Sequence, residues 1–447
     1  MEWMFGIKEG FDVVIGNPPY VRVEKISKND VSYFKNKYLS STGKFDLSSI
    51  FIEKAINLGS KKFIINFIST YQFLYTSSSI GLRKFIIDNA DTTVIMFSSD
   101  NQIFESATTY TGIFTFKPSK LRNVIVKTAN FKENHVLLES EFILDENNFK
   151  SDKVIISEKN LFDKFSNSKS TIRGIHIGKA KCGVVTSCDE VFFINRKQIN
   201  DLNLEEEIIY PILGSENLNK YYLSIPETYC IYPYQFINDK TELIPLNILE
   251  YKYPNIYRYL KSNENILKRR SQGRKTYENS NKWYQLNRPR EKWIYDSKKI
   301  IASGTTNLSK FAIDNAKSVF RNARLYSLIL NNENDIYYKL ILGVLNSKIC
   351  RYLLNLKCPP KSGGYFELST NFLEEFPYLK LDIDNNLQNK LIIAVDQIIE
   401  KKKLGEDTQE LEDKIDIMVY KLYDLNYEEV KIVDPEFKLS EEEYELY

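Results

Sequence analysis

A short apolar run, Phe11-Asp-Val-Val-Ile15, is closed by Gly16 and then by Asn17-Pro18-Pro19-Tyr20. Few local sequences constrain a backbone as tightly. The run has the length of a buried strand, and two consecutive prolines, with φ fixed and no N–H to offer, prevent it from continuing in a sheet. The chain must turn there, at the strand's carboxyl end, where open α/β sheets present their ligands. Further on, Leu47 to Leu58 carries helical apolar spacing and stops at Gly59. Lys62–Ile68 reads as a second buried strand, Ile80–Ile87 as a helix, Thr93–Phe97 as a third strand and Gly112–Phe116 as a fourth. Strands alternating with helices predict an α/β unit with a parallel-type sheet.

The residue types at the corner suit one kind of chemistry. An aromatic amine is a poor nucleophile because its lone pair is delocalised into the ring. Two acceptors on its hydrogens pull the nitrogen toward tetrahedral geometry. The Asn17 side-chain oxygen and a main-chain carbonyl held by the prolines are such acceptors, and Tyr20 offers a flat face for an extruded base. No general base is needed, in keeping with a chain that has only His135 and His176. The alternative is a plain strand-terminating turn, which Asn and Pro also favour.

Composition sets outer limits. A chain of 447 residues has room for two or three domains with cores of their own. The five cysteines, Cys182, Cys188, Cys230, Cys350 and Cys358, form no CxxC pair, so no zinc site is expected and a reducing cytoplasm is. No apolar run has the ~20 residues that span a bilayer, and no membrane role is expected. Net charge is only +2, but residues 261–300 carry twelve Lys/Arg against four Asp/Glu, and residues 401–447 carry seven Lys against fifteen Asp/Glu. This asymmetry reads as a polyanion-facing module followed by a separate acidic element. Within the basic stretch, Arg269-Arg270-Ser-Gln-Gly-Arg274-Lys275, Trp283-Tyr284 and Arg288-Pro-Arg290 interleave cations with aromatics. Cations fix a protein on phosphates, and Arg forks or flat rings meet bases. Arg270, Arg274, Lys275, Trp283, Arg288 and Arg290 are therefore the candidate nucleic-acid contacts. Helical spacing covers Asn331 through Leu354, and Leu391–Lys403 with Thr408–Leu425 reads as an antiparallel pair joined across Gly405.

Phe11–Tyr20 resembles the catalytic motif of adenine-specific DNA amino-methyltransferases of restriction–modification systems, and the downstream order of segments is similar to their TaqI-like group. Gly43-Lys-Phe-Asp46-Leu47 leading into Phe51-Ile-Glu-Lys54 resembles the helix after the catalytic loop, and Lys62–Leu74 the next strand and its loop. Phe104, in Gln102-Ile-Phe-Glu-Ser-Ala, resembles the aromatic residue packing a flipped adenine opposite Tyr20. The basic–aromatic stretch and Ile209–Gly214, Cys230–Tyr234 and Phe376–Tyr378 around it resemble the target-recognition domain of that group. The resemblance implies a truncated Rossmann-like methyltransferase domain over residues 1–122, a mixed α/β target-recognition domain over 123–385 and a helical tail over 386–447. It implies transfer of a methyl group from S-adenosylmethionine to the exocyclic amine of a flipped adenine in double-stranded DNA. The catalytic set would be Asn17, Pro18, Pro19, Tyr20 and Phe104.

The chain departs from that group in one large respect. Full enzymes place a glycine-rich turn and an acidic residue for the donor ribose ahead of the catalytic loop, whereas sixteen residues precede Asn17 here. A sheet without those strands has an apolar edge that must be covered. The expectation is a chain that needs a partner subunit or an N-terminal segment for donor binding, or else a catalytically inactive DNA-specificity subunit. Smaller departures are Ser48, where the group often has an aromatic residue, and Ser69, where it often has proline.

Overall fold

The computed structural model describes residues 9–97, 111–119, 122–132, 135–151, 154, 156, 161, 164–165, 171–173, 177–237, 240–272, 275–278, 280–306, 309–315, 318–322, 325–358, 360–361 and 365–447. The backbone divides into two compact units, residues 1–162 with 353–367, and residues 163–352 with 368–447. No helix among the described residues is long and apolar enough to cross a membrane.

The first unit is built on six strands: β1 (Phe11–Gly16), β2 (Gly59–Thr70), β3 (Ala90–Phe97), β4 (Thr111–Pro118), β5 (Val124–Lys132) and β6 (His135–Leu144). Their order across the sheet is β1-β2-β4-β3-β5-β6. β1 runs parallel to β2, joined by a helical crossover, and β3 runs parallel to β5, with β4 in the chain between them. The parallel-type sheet read from the sequence needs correcting, because β4 lies antiparallel to both β2 and β3, and β6 antiparallel to β5. Helices α1 (Lys28–Lys37), α2 (Leu47–Leu58) and α3 (Ile80–Asn89) connect the early strands. The inward residues of β2, Phe63, Ile65 and Phe67, meet Ile52, Ile56, Leu82 and Ile86 in one apolar core. Alternation sets this arrangement: every second residue of β2 faces the helices. Arg83, fully buried on α3, donates to the carbonyls of Phe73, Thr76, Phe149 and Ser151 and so ties that helix to two loops.

The sheet's other margin is β6. At the β1 margin the described residues leave Val13 58% and Ile15 78% exposed, with Ile64 of β2 beside Val13 also exposed.

The second unit holds two four-stranded sheets. Its strands are β7 (Gly178–Cys182), β8 (Phe193–Asn195), β9 (Ile209–Leu213), β10 (Thr228–Ile231), β11 (Lys299–Ser303), β12 (Phe311–Asp314), β13 (Val319–Phe320) and β14 (Leu325–Leu330). One sheet is ordered β13-β9-β10-β8 and the other β12-β11-β14-β7. The single helix read over Asn331–Leu354 is two, Asp335–Asn346 and one that begins at Lys348. Ser347 breaks it: its backbone is extended, its hydroxyl donates to Val344 O at 2.7 Å, and the Asp416 carboxylate accepts the Lys348 N–H at 2.8 Å. The C-terminal pair is present as Asn386–Lys403 and Gln409–Leu422, turned through Gly405 at φ +72°. Residues 335–346 pack on 386–403 where Gly343 leaves room; a Cβ there would sit 2.6 Å from Leu391.

Candidate functional site

The corner begins where β1 leaves the sheet. Gly16 lies close under Phe67, and a Cβ there would meet the ring at 3.1 Å, so a larger residue would have to push the ring aside. Pro18 is buried and anchors the turn, whereas Asn17 and Pro19 are exposed and Tyr20 is half-buried. The Tyr20 hydroxyl lies 2.8 Å from Asn17 Oδ1 and 3.0 Å from the Ile68 carbonyl, two acceptors sharing one proton. Burial, and then the negative charge of Asp46, push the Tyr20 hydroxyl above its ordinary pKa, so it stays a donor. Asn17 Oδ1 keeps a second lone pair, and its side chain faces solvent.

The return limb of the corner is also fixed. Val23 N–H donates to Phe45 O and Leu47 N–H to Val21 O, each at 3.0 Å, around an antiparallel bridge between Arg22 and Asp46. Asp46 is the N-cap of α2, accepting from Ser49 N–H and from the Ser48 hydroxyl. An Asp cap satisfies an otherwise orphaned donor and sets the helix's start. Glu53, two turns further and 3% exposed, accepts the N–H groups of Leu39 and Ser40 and holds the link from α1. The corner is thus gripped by β2 on one side and by the start of α2 on the other. Of these supports, the sequence offered a signal only for Asp46, an acidic residue just before an apolar periodic run; the Ile68 carbonyl and Glu53 carried none. Phe104 lies outside the described residues.

In the second unit the candidate contacts separate. Arg270 is 8% exposed, and its guanidinium donates to the carbonyls of Leu267, Thr186, Trp283 and Gln285 while lying 4.1 Å from the centre of the Tyr277 ring. Burial lowers its pKa. Trp283 and Tyr284 are each 3% exposed and belong to the unit's core, with the Tyr284 hydroxyl donating to Ile244 O. Arg290 is half-buried and donates through Nε to Gly183 O at 2.7 Å. Arg288 alone of these is exposed, and its side chain makes no ion pair or hydrogen bond to a described residue; its backbone pairs with Val185 in both directions. Arg274 lies outside the described residues, as does the side chain of Lys275. The structure therefore turns Arg270 and Trp283 into the fold and Arg288 out of it. A basic–aromatic string reads the same whether its rings line a groove or fill a core, and only packing separates the two.

Comparison with known proteins places both units. Residues 1–104 match the family described as Eco57I restriction-modification methylase, and residues 210–378 match the TaqI-like C-terminal specificity domain. The chain is 25% identical to the type II restriction enzyme and methyltransferase RM.Eco57I of Escherichia coli, over 94% of this chain and 45% of that protein. It is 21% identical to the type II methyltransferase M.BstVI of Geobacillus stearothermophilus, over 95% of this chain and 75% of the relative. Among solved structures, the type IIL restriction–modification enzyme MmeI in complex with DNA shares the fold, with a TM-score of 0.61 at 13% identity. That match covers 97% of this chain and 57% of MmeI, so the chain spans about half the length of the first of these relatives in each comparison. The chain is thus similar over residues 1–104 to Eco57I restriction-modification methylases and over residues 210–378 to TaqI-like C-terminal specificity domains, and the relatives it matches are type II restriction–modification methyltransferases.

Proposed function

We propose that the chain methylates the exocyclic amine of adenine in double-stranded DNA, with the second unit choosing the site. One observation carries the reading: Asn17 is exposed at the mouth of a corner whose Pro18 is buried and whose Tyr20 is hydrogen-bonded in place. A carbonyl oxygen on so stiff a support is positioned before the substrate arrives, and preorganised acceptors cost no rearrangement at the moment of reaction. Asn17 Oδ1 and the Pro18 carbonyl each accept one N–H of an everted adenine, drawing the nitrogen lone pair out of the ring. The Tyr20 ring takes one face of the base, and Phe104 is proposed for the other. An everted base gives up its stacking, which a flat aromatic surface replaces.

The methyl donor of this reading is S-adenosylmethionine. Its adenosine calls for a strand, a glycine turn and a helix, with an acidic residue beyond, and the described residues of the first unit contain no such turn. They do not fit the donor by themselves. The donor cradle is instead proposed to lie against the open β1 margin, where Val13 and Ile15 are exposed, on a further segment or a partner subunit.

The test is transfer of tritiated methyl from S-adenosylmethionine to duplex DNA by protein purified from cells that also express the adjoining reading frame. Asn17→Ala is expected to cut transfer by at least about a hundredfold, the scale of losing one preorganised polar group, while DNA binding is retained. Full transfer by Asn17→Ala would overturn the reading. DNA binding without transfer by the unaltered protein would leave a DNA-specificity subunit instead.

A further inference from the structure

We infer that one face of β7, carrying Lys179 and Lys181 beside Trp293, is a contact surface for the phosphate backbone of double-stranded DNA. The inference rests on the reading of the second unit as the part that engages DNA, and it names residues that the basic stretch at 261–300 does not contain, apart from Trp293.

In β7 the residues alternate: Lys179 and Lys181 share a face, and Ala180 between them is buried. Both ammonium groups lie over the ring of Trp293, Lys179 Nζ 5.9 Å and Lys181 Nζ 5.6 Å from its centroid. Two like charges are thus held around one ring, and among the described residues neither makes an ion pair. Like charges placed this way repel, and a folded surface ordinarily intersperses signs. The Glu374 carboxylate accepts the Ala180 N–H at 3.2 Å along the strand's outer edge and forms no ion pair with either lysine. Trp293 is 37% exposed, in contrast to Trp283, which is 3% exposed in the core. An indole left partly in water between two uncompensated cations is an interface composition: charge for the phosphates, a flat apolar face for sugar or base.

Arg288 belongs to the same surface run. The chain leaving β7 continues through Gly183, whose carbonyl accepts from Arg290 Nε, to Val185, whose N–H and carbonyl pair with Arg288. From Lys179 to Val185 is six residues, about 20 Å if extended. Duplex DNA presents a charge about every 1.7 Å along its axis, so a run of that length meets several phosphates. The arrangement has charge complementarity with a rod-like polyanion.

The experiment is fluorescence anisotropy with a fluorescein-labelled mixed-sequence DNA duplex, titrated at several NaCl concentrations. Lys179→Gln/Lys181→Gln is expected to weaken binding about tenfold and to flatten the log–log salt slope by about 1.8, the value for two lost phosphate contacts. Lys179→Arg/Lys181→Arg keeps the slope. In the unaltered protein, excess duplex is expected to protect both lysines from acetylation by acetic anhydride, read by mass spectrometry, which needs no variant to fold. An unchanged salt slope in the Gln pair, no protection in the unaltered protein, or protection by single-stranded RNA in preference to the duplex would overturn the inference. If the unaltered protein binds duplex and transfers methyl yet shows no protection, this surface alone is wrong. If it neither binds duplex nor transfers methyl, the proposed function falls and takes the surface with it.

Discussion

Arg270 shows how far a single residue's role depends on what encloses it. Four carbonyls accept from its guanidinium, and two rings, Tyr277 and Phe192, flank it. Removing it leaves buried carbonyls without donors, a loss on the order of 1–3 kcal/mol for a buried polar group left unsatisfied. Arg270→Met is therefore expected to lower the urea midpoint of the second unit sharply, with any loss of DNA binding tracking unfolding. Arg288→Gln is expected to leave that midpoint almost unmoved, with an unfolding free energy within about 0.5 kcal/mol of the parent, as surface changes do. At this scale the corner was legible and the cations were not. Asn17-Pro-Pro-Tyr20 turns the chain through φ angles that belong to the tetrapeptide itself. The sorting of Arg270, Trp283 and Arg288 into inside and outside is a property of strands and helices up to ~100 residues away, and nothing in the string encodes it locally.

Among the elements, those with an unambiguous period came out as read. Leu47–Leu58 is helix between an Asp cap and Gly59, and β1 ends at the Gly16 its sequence marks. Directions of strands were less legible: β4 is a plain apolar run, and nothing in it says that it will enter between β2 and β3 antiparallel to both. Asp416 was illegible too. It sits on the Gln409–Leu422 helix, yet it caps the helix that starts at Lys348, and its partner was hidden because that break was read as continuous helix. Burial pushes its carboxyl from 3.8 up to about 7, against the pull of Lys220 and Lys348 and with the push of Asp434. The folded state therefore holds this proton through a range in which the unfolded chain has lost it. Stability from this group is greatest at low pH and falls as pH rises from about 4 to about 7, beyond which the buried carboxylate is charged. Thermal unfolding across that range is expected to show Tm declining with pH, and Asp416→Asn, which keeps an acceptor for Lys348 N–H, is expected to flatten the decline.

Taken as a whole molecule, the charge asymmetry resolves differently from its reading as a separate acidic element. Glu412 takes Lys220 and Lys402, Asp434 takes Lys348, and Glu429 takes Lys164, so the acidic tail is knitted into the second unit by its own lysines. The uncompensated positive charge stays on the outside, at Arg288 and on β7. The first unit has a different exterior, and its β1 margin has a practical consequence. Val13 and Ile15 make that margin adhesive, since an open strand end-row with apolar side chains is a template for another chain. Concentrated preparations are expected to clump through it, with light scattering rising steeply with protein concentration. Val13→Lys/Ile15→Lys is expected to suppress that rise while leaving the melting profile of both units in place. The same two substitutions are expected to weaken the seating of any further segment that pairs with β1, since one exposed apolar row serves both contacts.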